Sequence, residues 1–498
     1  MKGKQMYKFL LGIVLFALFG TPLANANEPV TSDLERLIGA VLGDTPMIDD
    51  LKSLTDGIGG RATGSEANLR AVEWGLERFE SAGVLANKEA FTMPRAWLEV
   101  SATGSVSGIA TFPVAVATRP FSTATPDGGL AAPLVDAGFG TGQDFARLGE
   151  AALGAWVLIE TPVLDDEAGL AGLFQEYGDA AVIEPRAIGA GAVGIIFMSS
   201  RPKGLLYRHN AALGVANIHP QLTMEREGAK RALRLLRGGG ALNFTARIQI
   251  SGGGSYQAYN VIGEIPGSTR ADEIVIFGAH LDSHDMGTGA LDNGANVAML
   301  IDIARQITRL GLKPKRTIRF ALWNGEEMGI MGSLGYTRSH RDELDNHIVA
   351  AAFDIGTGRI TGFFTNGMAA LIPPVERYLI PVAGLGPFVH VNAPIVGTDN
   401  LDFMLEGVPN LVANQEDANY ASNYHASSDT FDKVDQSQLR LNAAVAAAII
   451  WGFANDEGRV PRQSRAEVEA LIENTALGQQ LRNMGFWNDW EEGARGRQ

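Results

Sequence analysis

The stretch ADEIVIFGAHLDSHDMGTGALDNGANVAMLIDIARQITRLGLKP, residues 271–314, reads as strand, loop and helix in that order. Ile274 to Ala279 is a continuous apolar run, the pattern of a strand buried on both faces. Val297, Leu300, Ile301, Ala304 and Ile307 recur at helical spacing, Arg305 and Arg309 face away, and Gly311 and Pro314 close the helix. The alternation continues downstream. Thr317 to Trp323 is a second buried strand, Ile348 to Phe353 a third and Val408 to Ala413 a fourth, with Leu439 to Phe453 a late covering helix. This order predicts an α/β fold, a three-layer αβα domain around a mostly parallel mixed sheet.

Upstream, Gly57 to Ser65 is a Gly-rich loop, and Leu69, Val72, Leu76 and Phe79 mark a helix that Gly83 stops. Between 106 and 250 short apolar runs alternate with Gly, Pro and Asp, and Ala131–Val135, Trp156–Ile159 and Val193–Phe197 read as strands. This β-rich module holds no dense cluster of His and carboxylates, so it is assigned no chemistry. Gly252-Gly253-Gly254 marks its exit. The αβα domain is then expected from 27–105 and 251–456, with 457–498 a polar C-terminal tail in which Val468, Leu471 and Ile472 hint at one amphipathic helix.

The first residues read as an export signal, 1–26. Lys2, Lys4 and Lys8 precede an apolar run, Phe9 to Phe19, and Ala24-Asn25-Ala26 supplies small residues for cleavage. The run is shorter than the roughly 20 residues that span a bilayer, so no stable membrane anchor is expected. The 498 residues suffice for two or three domains, and the absence of Cys excludes disulfides and thiolate chemistry. Export without disulfides suits a periplasmic or secreted protein. A net charge of −15 repels nucleic acid and anionic membranes.

Chemistry gathers at the strand ends, where open α/β sheets bind ligands. His280 directly follows one buried strand, Glu326-Glu327 lie just past the next, and Asp354 follows the third. Asp292 sits in the Gly287–Gly294 loop and His425 in a later loop. Taken singly, these residues have ordinary readings: an exposed His, helix-start carboxylates, a turn, an N-cap. Together, three of these carboxylates converging on one place would repel, and some would protonate. Two divalent cations outweigh that charge by one unit, which a hydroxide cancels. Mixed His and carboxylate donors suit zinc over magnesium or calcium, with cobalt or manganese as substitutes. Asp282 is placed to accept the other ring N–H of His280. His284, four residues after His280, is a rival donor, and His280-Leu281-Asp282 is the better unit. His209, His219, His340, His347 and His390 lack such company and are read as structural or exposed.

Gly278-Ala279-His280-Leu281-Asp282-Ser283, Gly289-Ala290-Leu291-Asp292-Asn293-Gly294 and Leu322-Trp323-Asn324-Gly325-Glu326-Glu327 resemble the di-zinc exopeptidases, the family of aminopeptidase Y, glutamate carboxypeptidase II and carboxypeptidase Q, and carboxypeptidase Q most. Gly397-Thr398-Asp399 through Phe403, Gly407-Val408-Pro409 and Tyr424-His425 through Asp429-Thr430 extend the likeness, and the 106–250 insert resembles the protease-associated (PA) domain such enzymes carry. The resemblance implies two zinc ions bridged by Asp292, one also held by His280 and Asp354, the other by Glu327 and His425. It implies Glu326 as general base toward a bridging hydroxide and Asp282 as the group that orients His280. Asp399, Asp429 and Tyr424 are expected near the metals or substrate. His284 stands where carboxypeptidase Q carries Trp, and Asn293 replaces a second Asp. The implied activity is aminopeptidase or dipeptidase cleavage of short peptides, and a homodimer follows from the resemblance alone. The competing expectations are a single-zinc acyl transferase of the glutaminyl cyclase type, a non-catalytic PA-domain binding protein, and a sugar or phosphate hydrolase with a similar metal pair.

Overall fold

The computed structural model describes residues 32–498; the expected export signal lies outside the described residues. A seven-stranded sheet forms the centre of the αβα unit, in the order Leu85–Met93, Tyr256–Ile265, Arg316–Trp323, Arg270–His280, His347–Ala352, Asn410–Gln415, Ile360–Phe364. The pairings among the four strands from Arg316–Trp323 to Asn410–Gln415 are parallel, and those that add the three outer strands are antiparallel. The mixed sheet of the α/β expectation is therefore present, and its parallel centre coincides with the four apolar runs.

Alternation along the 270–280 strand sends residues to both faces. Val275, Phe277 and Ala279 pack with the helices Glu66–Ser81, Ala295–Arg309 and Gln436–Asn455 in the largest core. Ile276 lies on the opposite side with Ile262, Ala321, Trp323, Tyr336 and Phe403. Gly278 is required there, because a Cβ would come within 2.0 Å of Trp323 Nε1. Helix starts are fixed locally: the Ser65 side chain accepts from Asn68 N and the Asp435 side chain from Gln438 N.

A second, eight-stranded sheet draws its strands from Trp97 to Gly252, with a core around Trp156, Ile196, Leu222 and Phe244. It is less purely β than its sequence suggests. The 21-residue helix Gly169–Gly189 and the helix Arg226–Arg237 accompany it.

The reading of 457–498 as a polar tail needs correction. This segment forms the helices Arg465–Asn474, Leu477–Asn483 and Trp487–Glu491. Leu477, Leu481 and Trp490 are buried with Ile330, Leu401 and Leu405 in a core of their own. Arg495 is buried as well, its guanidinium donating to Asp402 at 2.9 and 3.0 Å and to the carbonyls of Ile330 and Gly329. Among the described residues no helix is long and apolar enough to cross a membrane.

Candidate metal centre

The parallel strands deliver their polar successors to one place. His280 ends its strand opposite Trp323, and Phe353 N donates to Gly278 O, so His280, Glu326-Glu327 and Asp354 leave neighbouring strand ends. His280 Nε2 lies 2.9 Å from Asp292 Oδ1 and 3.0 Å from Asp354 Oδ1. His425 Nε2 lies 2.9 Å from Glu327 Oε2 and 3.4 Å from Asp292 Oδ2. The donors form two groups, His280 with Asp292 and Asp354, and His284 with Glu327 and His425, and in each the donor atoms lie within 4.8 Å of one another. Asp292 faces both groups, one oxygen to each. All five expected ligands thus converge, and His284 joins them.

Ring orientation is set by the remaining nitrogens. His280 Nδ1 is 3.0 Å from the Asp282 carbonyl oxygen and 3.6 Å from its carboxylate Oδ1. The backbone carbonyl is thus the nearer partner, which modifies the expected carboxylate contact. Asp282 is itself held by the Thr63 hydroxyl, 2.6 Å from Oδ2. His425 Nδ1 faces the Arg208 carbonyl at 2.9 Å, so its neutral tautomer turns a bare Nε2 toward Glu327. Two acceptors 2.9 Å apart need a proton or a cation between them. Asp292 Oδ2 and His284 Nε2 are buried without a hydrogen-bond partner. Imidazole and carboxylate donors aimed at one another in this way fit a pair of divalent cations.

The protein's own charges explain the titration of the site. Burial pushes Glu326 well above the usual carboxylate range, with Asp354, Glu327 and Asp399 adding to the rise and His280 opposing it. Burial lifts Asp354 to about 6 against the pull of His280. Glu327 falls well below its ordinary value because His284 and His425 outweigh the burial that raises it. Asp399 is buried and raised by that burial, with His280 opposing the rise, and its two oxygens are unpaired.

Asp429 and Arg61 build the loop that carries Asp292. Asp429 Oδ1 accepts from Ala290 N at 3.0 Å and Leu291 N at 2.7 Å, and Oδ2 from Asp292 N at 3.1 Å. Arg61, fully buried, donates to the carbonyls of Leu281, Thr288 and Gly289. Tyr424 stacks on His425 with ring centroids 3.6 Å apart and shares a hydrogen bond with Tyr177 at 3.1 Å. Arg61 and Thr63 lie in the Gly57 to Ser65 stretch, read from sequence only as a loop, and Tyr177 and Arg208 gave no signal. An isolated Thr, Tyr or backbone carbonyl has no signature of its own.

The 106–250 segment, assigned no chemistry, contributes to the site. Besides Tyr177 and the Arg208 carbonyl, Asn210 Nδ2 donates to the Glu327 carbonyl at 2.7 Å. His209 stacks on Tyr177 at 3.9 Å and lies 5.8 Å from the His425 ring, so it does keep site company. A cavity of about 430 Å³ opens over the centre, with Asp292, Glu326, Glu327, Asp354 and His425 among its lining residues. Its walls are largely apolar and come from distant segments, including Phe174, Met328, Ile330, Val396, Met484 and Phe486.

Comparison with known proteins agrees with this geometry. The chain is 32% identical to carboxypeptidase Q of Xenopus laevis over 208 residues, 41% of this chain and 44% of that protein. The aligned part thus spans less than half the length of this relative. The crystal structure of a peptidase M28 precursor from Shewanella amazonensis SB2B superposes with a TM-score of 0.76 at 29% identity, covering 86% of this chain and 98% of that one. BSAP, a zinc aminopeptidase from Bacillus subtilis, shares the fold with a TM-score of 0.65 at 18% identity, covering 84% and 96%. The profile of peptidase family M28 matches from Asn260 to Ile450, a range that holds every residue of the two donor groups.

Proposed function

We propose that this protein is an exported, zinc-dependent exopeptidase that trims short peptides, of the aminopeptidase or dipeptidase type. One observation carries the reading: two cation-ready donor groups share Asp292 on the floor of an apolar cavity, with Glu326 beside them. The cavity's volume of about 430 Å³ is within the range of small-ligand sites. It suits one or two residues of a peptide, and its walls favour apolar side chains.

The metals would be held by His280 and Asp354 on one side and Glu327 and His425 on the other, with Asp292 common to both. Zinc bound there lowers the pKa of water and polarises the scissile carbonyl. Glu326, which lines the cavity beside the donor groups, takes the proton from the attacking water and passes it to the leaving amine. Asp282 and Thr63 keep His280 in register, and Asp429 holds the Asp292 loop. The second sheet is read as a PA-type insert, 106–250 with strands reaching to 97 and 252, that lends Tyr177 and Asn210 to the pocket. The homodimer remains part of this proposal and rests on resemblance alone.

The test is purified protein stripped with a chelator, reloaded with zinc, and offered a panel of free and N-blocked di- and tripeptides. Hydrolysis that is lost with zinc and regained with it, at two ions per chain, is the expected result. A zinc-loaded protein that cleaves none of them but cyclises N-terminal Gln with one ion per chain would replace this reading with the acyl-transferase one.

A further inference from the structure

His284 has no role in the reading above, yet it faces the same centre. Its Nε2 lies 3.1 Å from Glu327 Oε2, the same oxygen that faces His425 Nε2 at 2.9 Å. The two imidazole rings are 4.1 Å apart between centroids. His284 is 6% exposed, and its Nε2 is buried without a hydrogen-bond partner. Its backbone N–H reaches the other oxygen of Glu327 at 3.3 Å, so the carboxylate and the ring are positioned together. A separate small cavity of about 10 Å³ lies among His284, Asp292, Glu327 and His425, room on the scale of one water-sized sphere.

We propose that His284 is a further ligand of the cation held by Glu327 and His425. The inference rests on the two-metal reading and goes beyond it, because it makes the two positions unequal. With Asp292, one position has two imidazoles and two carboxylates, the number of protein donors that fills a tetrahedral zinc shell. The other has His280, Asp354 and Asp292, three protein donors and an open place, the pattern of a catalytic zinc. The extra nitrogen also biases its position toward zinc and away from magnesium, calcium and manganese, which prefer oxygen.

The test compares wild type with His284→Phe, which keeps a ring but no nitrogen, and His284→Gln, which is less disruptive should the first not fold. Zinc content is measured during titration with a competing chelator, and the visible absorption of the Co²⁺-loaded protein is recorded. In both variants the affinity for one of two ions should fall by about 100-fold or more, beyond the roughly 10–100-fold that a merely orienting partner costs. The other ion should be held as before, and the Co²⁺ bands should shift because an imidazole donor is gone. Variants that hold two ions with wild-type affinity and unchanged Co²⁺ bands would overturn the ligand assignment while leaving the exopeptidase reading intact. A wild-type protein that binds no zinc would instead sink both.

Discussion

Asp429 offers the sharpest test of how the Asp292 loop is held. Its carboxylate takes three consecutive backbone N–H groups, from Ala290, Leu291 and Asp292. An amide in its place presents one oxygen, and its NH₂ meets a donor. Asp429→Asn therefore leaves at least one buried N–H unpaired, at about 1–3 kcal/mol, and weakens the remaining bonds by about 1 kcal/mol each as they lose charge assistance. Relief from burying a charge beside Asp292 offsets part of this. Burial lifts the Asp429 carboxyl to about 7 despite those N–H groups, so the charge is held at a cost. The net loss should be about 2–4 kcal/mol at pH 8, where the wild-type carboxylate is ionised. Asp429→Ala orphans all three donors and should lose more, about 5 kcal/mol. Because the displaced N–H groups position Asp292, zinc affinity should fall roughly 10–100-fold in Asp429→Asn. Urea unfolding of the metal-free proteins gives the stability, and chelator competition gives the affinity. If Asp429→Asn matches wild type in both, the three bonds do not position the ligand, and the account of the loop is wrong.

Three further outcomes are expected. Glu326→Gln should keep its zinc and lose about 10²–10⁴-fold in kcat; elemental analysis and turnover measured together check this, and near-wild-type turnover would end the general-base assignment. Asp292→Asn should lose zinc from both positions, because Asp292 faces both donor groups; two ions retained per chain would contradict the bridging role. His347 is buried, its ring nitrogens 3.0 Å from the Tyr336 hydroxyl and the Glu343 carbonyl, and burial lowers it to about 4. The unfolded chain, with a His near 6.5, binds the proton more readily between those values. The stabilisation is therefore fully present above about pH 6.5 and is lost as pH falls through about 4, a total of about 3 kcal/mol. The urea midpoint of His347→Gln should fall less steeply than wild type over that window, and parallel slopes would refute the assignment.

How much of this was legible follows from what a sequence pattern reports. Strands buried on both faces show as unbroken apolar runs, so the four central strands, and the polar residues that follow three of them, could be read directly. Leu85–Met93 escaped because all but Phe91 and Met93 are at least partly exposed, and an edge strand of that kind has no apolar run to display. The helix Gly169–Gly189 is interrupted by Gly172, Gly178 and Pro185, which read as loop punctuation. Arg495 and Arg61 were harder still, because charge in a sequence signals solvent by default. A guanidinium can be buried once its N–H groups meet acceptors, and here those acceptors are the Asp402 carboxylate with the carbonyls of Gly329 and Ile330 in one case and the carbonyls of Leu281, Thr288 and Gly289 in the other. The same distinction divides the site. Its candidate ligands are chemically conspicuous and could be found by type and position. The groups that aim them, the Thr63 hydroxyl, the Arg208 carbonyl and the N–H groups facing Asp429, are of kinds that occur throughout the chain, and only their convergence from segments more than 130 residues apart makes them part of the centre.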